Sequence, residues 1–337
     1  MSRPPGMVDV AKLAGVSHVT VSRVLNNREL VRPETRKRVE DAIAELGYRR
    51  NEIARELKSR KSLTIGVVLA GAQLFELPHT LFGVETTARE AGYGLNLASW
   101  QGIAGDSLAE TVDRMGDRAV QGVLIIADRP VVVAELPSLR PRVPTTMMLS
   151  GQVEGTEGLG YVEYDHVYGA RLAVRHLLDL GHRSVAHITG NLDTFDANAR
   201  LLGWQEELRS HGITDTERYE GDFQATSGYR WGSFLATRPE GPPTAVFAAN
   251  DQIAMGALAA FAQHHVRVPE DVSLVGYDDQ AGVEFTVPAL TTVRQDFTRL
   301  GTESIRDVLD RIDGGDAKVT KLLPELKIRR STSTPRR

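Results

Sequence analysis

The sequence predicts an N-terminal all-α head joined to an α/β body of two lobes. The chain has 337 residues, of which 41% are hydrophobic, so it is long enough for two or more ordinary domains. The first fifty residues carry short helical patterns around a tight turn, and from Leu63 onward short apolar strands alternate with amphipathic helices. This alternation occurs twice in succession, and about 275 residues is large for one doubly wound sheet. We therefore expect two lobes with a cleft, divided near residues 160–165.

The composition excludes several classes of protein and site. The absence of cysteine excludes disulfides, thiolate zinc sites, iron–sulfur ligation and a cysteine nucleophile. No stretch approaches 18 uninterrupted apolar residues, and the first residues, MSRPPGMVDVAKLAG, lack the apolar segment of a secretory signal. We expect a cytoplasmic protein with no membrane span, no metal and no cofactor.

The charge is distributed unevenly along the chain, although the net charge is only −4. Residues 1–62 contain 14 Lys and Arg against 8 Asp and Glu, a net charge of +6, which leaves −10 for the rest. A basic segment on an acidic body is typical of nucleic-acid binding, because Lys and Arg displace condensed counterions from phosphates. A solvated basic face would give the same counts, so charge alone does not decide between them.

The head begins with a helix, a tight turn and a second helix. The first helix covers residues 8–14 and is closed by Gly15, and the hydroxyl of Ser17 is suited to cap the second. The buried face of the second helix is formed by apolar residues at i, i+3 and i+4 spacing, namely Val21, Val24 and Leu25. The opposite face is therefore free to contact a partner.

A third helix and a charged segment complete the head. The third helix runs from about Pro33, which suits the first helical position, to Leu46, and Gly47 ends it. Residues 51–62, NEIARELKSRKS, have a helical pattern with too little apolar surface for stability in isolation. We expect this fourth segment to be a linker that folds conditionally.

The body shows a strand–helix repeat. The strand patterns are LTIGVVLAG, GYGLNLAS, GVLIIA, VPTTMML, SVAHITG, TAVFAAN and VSLVGYDD, and helical patterns lie at 81–91, 107–117, 169–180, 198–211, 252–265 and 297–312. We assign residues 1–50 to the head, 51–62 to the linker, 63–330 to the body and 331–337 to a polar tail. Within the body we expect lobe 1 at about 63–162 and 294–330, and lobe 2 at about 163–293.

One continuous set of motifs identifies a family. The segment VDVAKLAGVSHVTVSRVLNNRELVRPETRKRVEDAIAELGY resembles the helix-turn-helix head of the LacI/GalR family of transcriptional regulators. IARELKS resembles the hinge helix of that family, and AVFAANDQIAMGAL, RVPEDVSLVGYDD and PALTTVRQDFTRLG resemble its body signatures in order and spacing. The resemblance implies a two-lobed body like that of periplasmic binding proteins, with a small effector between the lobes.

The second helix of the head carries the candidate DNA contacts. A recognition helix places short or polar side chains at base edges, which suits His18, Val19 and Arg23. Arg23 can pair bidentately with guanine, Val19 can contact only a thymine methyl, and His18 can donate to a purine N7 or a phosphate, or else is simply exposed. The residues expected at phosphates or sugars are Ser17, Thr20, Ser22 and Asn26.

The hinge contributes a candidate minor-groove wedge. By resemblance, Leu57 inserts at the operator centre from the two hinge helices of a dimer, where a wedge opens one base step and bends the DNA. Lys58 then lies near the DNA backbone. The alternative is that Leu57 packs within one chain.

The candidate effector residues are polar groups and one aromatic ring. Arg200, Asn250 and Asp278 match family effector contacts and lie at the ends of strands or on the following helices. Phe223 takes a position where related sequences carry tryptophan, so a smaller stacking surface is expected. The remaining candidates by resemblance are Phe75, Pro78 and Leu81 from lobe 1, Gln295 and Phe297 at the crossover, and Asp165 and Tyr168 near the cleft.

Two other interpretations of the polar residues remain. Asp251, Asp278 and Asp279 could form a carboxylate cluster for metal or acid–base chemistry. His176, His182 and His187 could form a ligand set, although they lack the i, i+4 spacing of a helical metal pair. No phosphate-binding loop, nucleophile elbow or dinucleotide fingerprint is found.

The sequence therefore predicts a transcriptional repressor and not an enzyme. We expect a homodimer on a pseudo-palindromic double-stranded DNA operator, controlled by a sugar or glycoside between the lobes. A tetramer is not expected, because the chain ends in STSTPRR without an a/d heptad. The alternatives are a regulator that needs a co-repressor or a protein partner, or a cytoplasmic sugar-binding module.

Overall fold

The computed structural model describes residues 5–26, 31–48, 62–71, 77–103, 107–117, 119–149, 158–214 and 216–336. The chain divides into two compact units, Met1–Ser62 and Leu63–Arg337. Each unit is described by itself.

The described residues of the first unit form three helices around a small apolar core. They are α1 (Met7–Ala14), α2 (His18–Asn26) and α3 (Pro33–Leu46). Gly15 and Gly47 end α1 and α3 with positive φ angles of 63° and 58°, a backbone conformation that glycine adopts without a steric cost. Arg32 precedes α3 without a side-chain cap. The helices meet through fully buried valines at positions 10, 21 and 39. The fourth predicted helix covers residues 51–62, and all of it except Ser62 lies outside the described part of the chain.

In the described part of the second unit, the strands form two six-stranded sheets, one in each lobe. The lobe 1 sheet has the order β11-β5-β4-β3-β1-β2, and all its strands are parallel. Its strands are β1 (Thr64–Ala70), β2 (Gly94–Trp100), β3 (Gly122–Ala127), β4 (Thr145–Met148), β5 (Gly160–Tyr164) and β11 (Val319–Leu322). In this register Ala70 lies opposite Trp100 and Ala127, so three strands end together at one edge.

The lobe 2 sheet has the order β12-β10-β9-β8-β6-β7, and only β12 among these strands runs antiparallel to its neighbour. Its strands are β6 (Ala186–Ile188), β7 (Arg218–Tyr219), β8 (Ala245–Ala248), β9 (Ser273–Asp278), β10 (Thr291–Arg294) and β12 (Glu325–Lys327). Parallel strands in both sheets agree with the predicted doubly wound body.

Helices pack against both sheets. They are α4 (Leu77–Glu90), α5 (Leu108–Asp117), α6 (His166–Asp179), α7 (Phe195–Ser210), α8 (Ala225–Thr237), α9 (Asp251–Gln263) and α10 (Phe297–Ile312), with short 3-10 helices at Pro130–Ser138 and Val283–Phe285. Within the described ranges, no helix is long and apolar enough to cross a membrane.

The chain crosses between the lobes three times, and this corrects the predicted boundaries. The crossings follow β5, β10 and β11, so the first falls within the predicted interval of 160–165. Residues 294–330 do not all belong to lobe 1, because β12 pairs with β10 and extends the lobe 2 sheet.

The prediction of a free polar tail at residues 331–337 is also wrong, because Ser331 is bonded to lobe 2. Ser331 is fully buried, and its hydroxyl donates to the carbonyl of Leu274 at 2.6 Å. Its own carbonyl accepts from the amide of Leu274 at 2.8 Å. These paired bonds attach the end of the chain to lobe 2.

Candidate functional site

Helix α2 presents the residues of its predicted DNA-contacting face largely to solvent. The hydroxyl of Ser17 accepts from the amide of Thr20 at 3.2 Å and lies 2.9 Å from the hydroxyl of Thr20, so it caps the helix as predicted. His18, Val19 and Arg23 are exposed, with Val19 at 46%. Ser22 is half-buried. The side chain of Asn26 and residues Leu57 and Lys58 lie outside what the structure describes.

The centre of the body site is Arg200, on α7. Its side chain is 3% exposed, and one terminal nitrogen, Nη2, lies 3.2 Å from Asp278 and 3.7 Å from Asp196. Nη1 donates to the carbonyl of Ala249 at 2.5 Å, and the guanidinium lies 3.9 Å from the ring centre of Tyr277. Burial is the largest single influence and lowers the pKa of the guanidinium, but the surrounding negative groups, led by Asp278, together outweigh it and raise that pKa above its usual value.

Asp278 ends β9 and connects Arg200 to the crossover. Its Oδ1 accepts from the side-chain amide of Gln295, through Nε2, at 2.9 Å, and Gln295 is itself buried. Asp278 has a φ of 103° and Asp279 a φ of 57°, which are unusual conformations for residues with a Cβ. Strained backbone of this kind clusters at functional sites, where the surrounding structure holds it in place.

Asn250 and Phe223 lie on the neighbouring strand ends. Asn250 caps α9 by accepting from the amide of Ile253 at 2.9 Å, and its Nδ2 donates to the carbonyl of Phe223 at 3.1 Å. Phe223 has a φ of 67°, and its ring centre lies 5.7 Å from the guanidinium of Arg200. The ring covers Gly190, where an added Cβ would lie 2.1 Å from it. The segments that follow β6, β7, β8 and β9 thus bring the polar groups and this ring together.

Three residues of the site escaped the sequence prediction. His166 Nε2 lies 3.4 Å from Asp196, and its Nδ1 accepts from Arg200 Nε at 3.3 Å. The His166 ring stacks on Tyr277 at 5.9 Å, and burial lowers the pKa of His166 to about 4. The i, i+4 spacing of Asp196 and Arg200 was the one signal in the sequence that pointed to this cluster.

The remaining predicted residues lie in varied surroundings. Leu81 and Phe297 pack on the lobe 1 core, Pro78 is exposed, and Phe75 falls outside the described residues. Asp165 caps α6 by accepting from the amide of Tyr168 at 2.9 Å, and the side chain of Tyr168 is exposed. The contacts of Leu81 and Phe297 are therefore with the core of lobe 1, whereas Arg200, Asp278 and Gln295 form one bonded set.

The alternative clusters have structural partners. Asp251 is fully buried and accepts from the hydroxyl of Thr292 at 2.6 Å, and burial raises its pKa well above the usual value. Asp279 pairs with Arg329 at 2.6 Å. The three histidines bind hydroxyl or carbonyl groups at separate places: His176 contacts Thr332, His182 contacts Ser273, and His187 contacts the carbonyl of Phe247. Across the described ranges, no group of three or more His, Cys, Asp or Glu is arranged to hold a metal.

Comparison with known proteins gives the family. The lactose operon repressor of Escherichia coli (strain K12) is 33% identical over 335 residues, which cover 98% of this chain and 91% of that protein. The chain belongs to the lacI family of bacterial regulatory proteins. The family model described as bacterial regulatory proteins, lacI family, matches residues 6–51, and a periplasmic binding protein-like domain matches residues 174–332.

Two further comparisons agree with membership of the lacI family. The HTH-type transcriptional repressor PurR of Haemophilus influenzae (strain PittEE) is 31% identical and covers 97% of this chain and 98% of its own. The crystal structure of the lac repressor dimer bound to operator and the anti-inducer ONPF has a TM-score of 0.81 at 32% identity, over 98% of this chain and 100% of that chain. The protein is thus a transcriptional repressor of the lacI family, with a DNA-binding head and a ligand-binding body.

Proposed function

We propose that a sugar or glycoside without a charged group binds around Arg200 and controls operator binding. The observation that carries this proposal is the buried network of Arg200, Asp278 and Gln295 beside the ring of Phe223. Planar polar groups suit neighbouring sugar hydroxyls, and an aromatic ring suits the apolar face of a pyranose. Similarity to a protein named the lactose operon repressor also supports a sugar.

The charges around Arg200 favour an uncharged ligand. Asp278 and Asp196 lie within 3.2 and 3.7 Å of the guanidinium, so its positive charge is already balanced. His166 beside them is neutral at pH 7, because burial lowers its pKa to about 4. A phosphate or carboxylate on the ligand would meet two aspartates, and like charges placed side by side cost several kcal/mol.

For the head, we propose that a homodimer reads a pseudo-palindromic operator through α2. Exposed Arg23 suits guanine, and exposed Val19 suits a thymine methyl. A two-fold dimer presents the same helix to both half-sites, and the operator-bound lac repressor dimer supports this arrangement. Leu57, as the minor-groove wedge, would couple the head to the body.

The ligand acts through differential affinity for two arrangements of the lobes. The crossings after β5, β10 and β11 leave the lobes free to rotate as units around three short connections. A sugar that stabilises one arrangement moves residues 51–62 of the two chains, so that the two hinge segments can no longer fold together in the minor groove. The affinity for the operator then falls.

The test begins with an operator selected from random duplexes by the full-length protein. Fluorescence anisotropy then follows its release by lactose, cellobiose, glucose 6-phosphate or hypoxanthine, with thermal shift as a direct reading of ligand binding. We expect a neutral sugar to bind and to release the operator. Gln295→Leu should bind the operator normally but need about tenfold more sugar, because one hydrogen bond orienting Asp278 is lost.

The matched control is Arg267→Met, which removes an exposed ion pair with Asp271. It should respond to sugar as the parent does. Binding of glucose 6-phosphate or hypoxanthine in place of the sugars would contradict the ligand class. A sugar that tightens operator binding would be a co-repressor. That result would contradict the proposal that the sugar releases the operator, but not the proposed position of the sugar site.

A further inference from the structure

The first turn of α7, in lobe 2, contacts lobe 1 away from the crossings. The amide of Phe195 donates to the carbonyl of Asp128 at 3.0 Å. The Phe195 side chain packs against the lobe 1 core cluster that contains Trp100 and Leu136. Asp128 follows β3, which lies two strands from β5 and its crossing, a separation of about 10 Å at the usual strand spacing. This contact is therefore separate from the three connections between the lobes.

The first two turns of α7 also carry the charged groups of the cleft. Asp196 follows Phe195 directly and lies 3.4 Å from His166, and Arg200 comes one turn later. A helix rises about 5.4 Å per turn and moves as one body, so any shift of Phe195 also shifts these two side chains. The packing of the Phe195 ring against lobe 1 consequently sets how Asp196 and Arg200, on lobe 2, face the cleft.

We propose that Phe195 is a positioning residue that latches the two lobes together in the arrangement of this structure, in which its ring lies against lobe 1 and which we call the closed arrangement. The three short crossings act as a hinge on one side of the body. The ring of Phe195 holds the two lobes together at a second place, away from that hinge. The packing of this aromatic side chain and the Phe195–Asp128 backbone hydrogen bond then both stabilise the closed arrangement. Truncating the ring removes apolar contact that only the closed arrangement has, so the balance moves toward the open one. The inference goes beyond the proposed function, because it does not depend on the identity of the effector.

The absence of cysteine makes a direct distance measurement possible. Asp113→Cys on α5 and Arg209→Cys on α7 place one exposed spin label in each lobe. The labelled full-length chain is mixed with excess unlabelled chain, so that each oligomer carries one labelled copy, and pulsed electron spin resonance gives the distribution of distances without ligand. We expect one short distance in the parent chain.

Phe195→Ala should raise the ratio of long to short distances by about tenfold, the change that a loss of 1.4 kcal/mol produces. Phe195→Leu should fall between the two, because it keeps part of the apolar contact. Leu202→Ala is the control, since Leu202 lies on the same helix and is 45% exposed. An unchanged distribution in Phe195→Leu and Phe195→Ala, or an equal shift in Leu202→Ala, would overturn the latch. If Phe195→Ala does not fold, Phe195→Leu alone decides the question by the same criterion.

Discussion

Replacing Arg200 by methionine, with and without Asp278→Asn, measures what the buried ion pair contributes to the stability of lobe 2. The two side chains are 3% and 8% exposed, and their charged atoms lie 3.2 Å apart. Neither charge is well hydrated, so each depends on the other. Methionine is chosen because it fills much of the space of arginine without a charge or a hydrogen-bond donor.

The expected cost follows from the partners that remain. Arg200→Met leaves the carboxylate of Asp278 buried with the amide of Gln295, and removing one partner of such a pair costs about 3–5 kcal/mol. Asp278→Asn leaves the guanidinium with Asp196 at 3.7 Å, so its cost should be about 3 kcal/mol. The double variant removes both charges and should cost about as much as one single variant, which gives a coupling of about 3 kcal/mol.

Urea unfolding at pH 7, followed by circular dichroism, gives the free energies for the cycle. Arg267→Met is the surface control, because its ion pair with Asp271 spans 2.7 Å but the arginine is 54% exposed. That pair should contribute little to stability, because water and salt screen an exposed ion pair. Costs that simply add in the double variant would refute the argument, because they would show that the two charges do not depend on each other.

Three further predictions address other parts of the molecule. Burial lowers the pKa of His187 to about 4, whereas the unfolded chain binds this proton near pH 6.5. The free energy of unfolding therefore falls as the pH drops from 6.5 toward 4, by about 1.4 kcal/mol per pH unit. His187→Phe should remove this part of the pH dependence in urea unfolding at pH 7, 6 and 5, and identical slopes for variant and parent would count against it. Gly190→Ala places a methyl group 2.1 Å from the Phe223 ring and should weaken sugar binding, measured by calorimetry, about tenfold or more. Gly116→Ala is the control, because its added methyl group meets open space and should leave the affinity unchanged. Equal affinities of the two variants for the sugar would reject the role of the ring. Arg23→Ala should relax base preference at one base pair per half-site by about 1–3 kcal/mol in a duplex-library titration, and an equal loss on a scrambled duplex would instead indicate a phosphate contact.

Much of the fold follows from local pattern, and the exception is instructive. The predicted helix at 297–312 has the same bounds as α10, because its apolar face repeats regularly and Asp296 caps it by accepting from the amide of Arg299. α8 was missed, since ATSGYRWGSFLAT contains two glycines and weak helix formers. Those glycines allow close packing: an added Cβ at Gly228 would lie 2.0 Å from the carbonyl of Ile253. Tertiary contact stabilises this helix, and local pattern does not report it.

The site could be predicted only in part, for a similar reason. Asp278 ends a strand, Gln295 lies at the crossover, and Arg200 lies on the helix that follows β6, which are places where α/β sheets bind ligands. His166 and Tyr277 become part of the site only because α6, α7 and β9 fold together, and no sequence spacing links residues so far apart. The polar composition of the C-terminal residues predicts a free tail, which is wrong because the partner of Ser331 is Leu274 in a strand far away in the sequence.

The split construction of lobe 1 imposes an order on its biosynthesis. Its strands through β5 leave the ribosome early, but α10 and β11 follow only after nearly all of lobe 2 has been made. At about 5–20 residues per second, the 160 residues between Val162 and Leu322 take roughly 8 to 32 seconds. During that time the apolar surface that Leu300, Ile305 and Val308 later cover stays open on the nascent chain. Nascent lobe 1 is therefore a natural client for chaperones, and lobe 2 completes most of its sheet first.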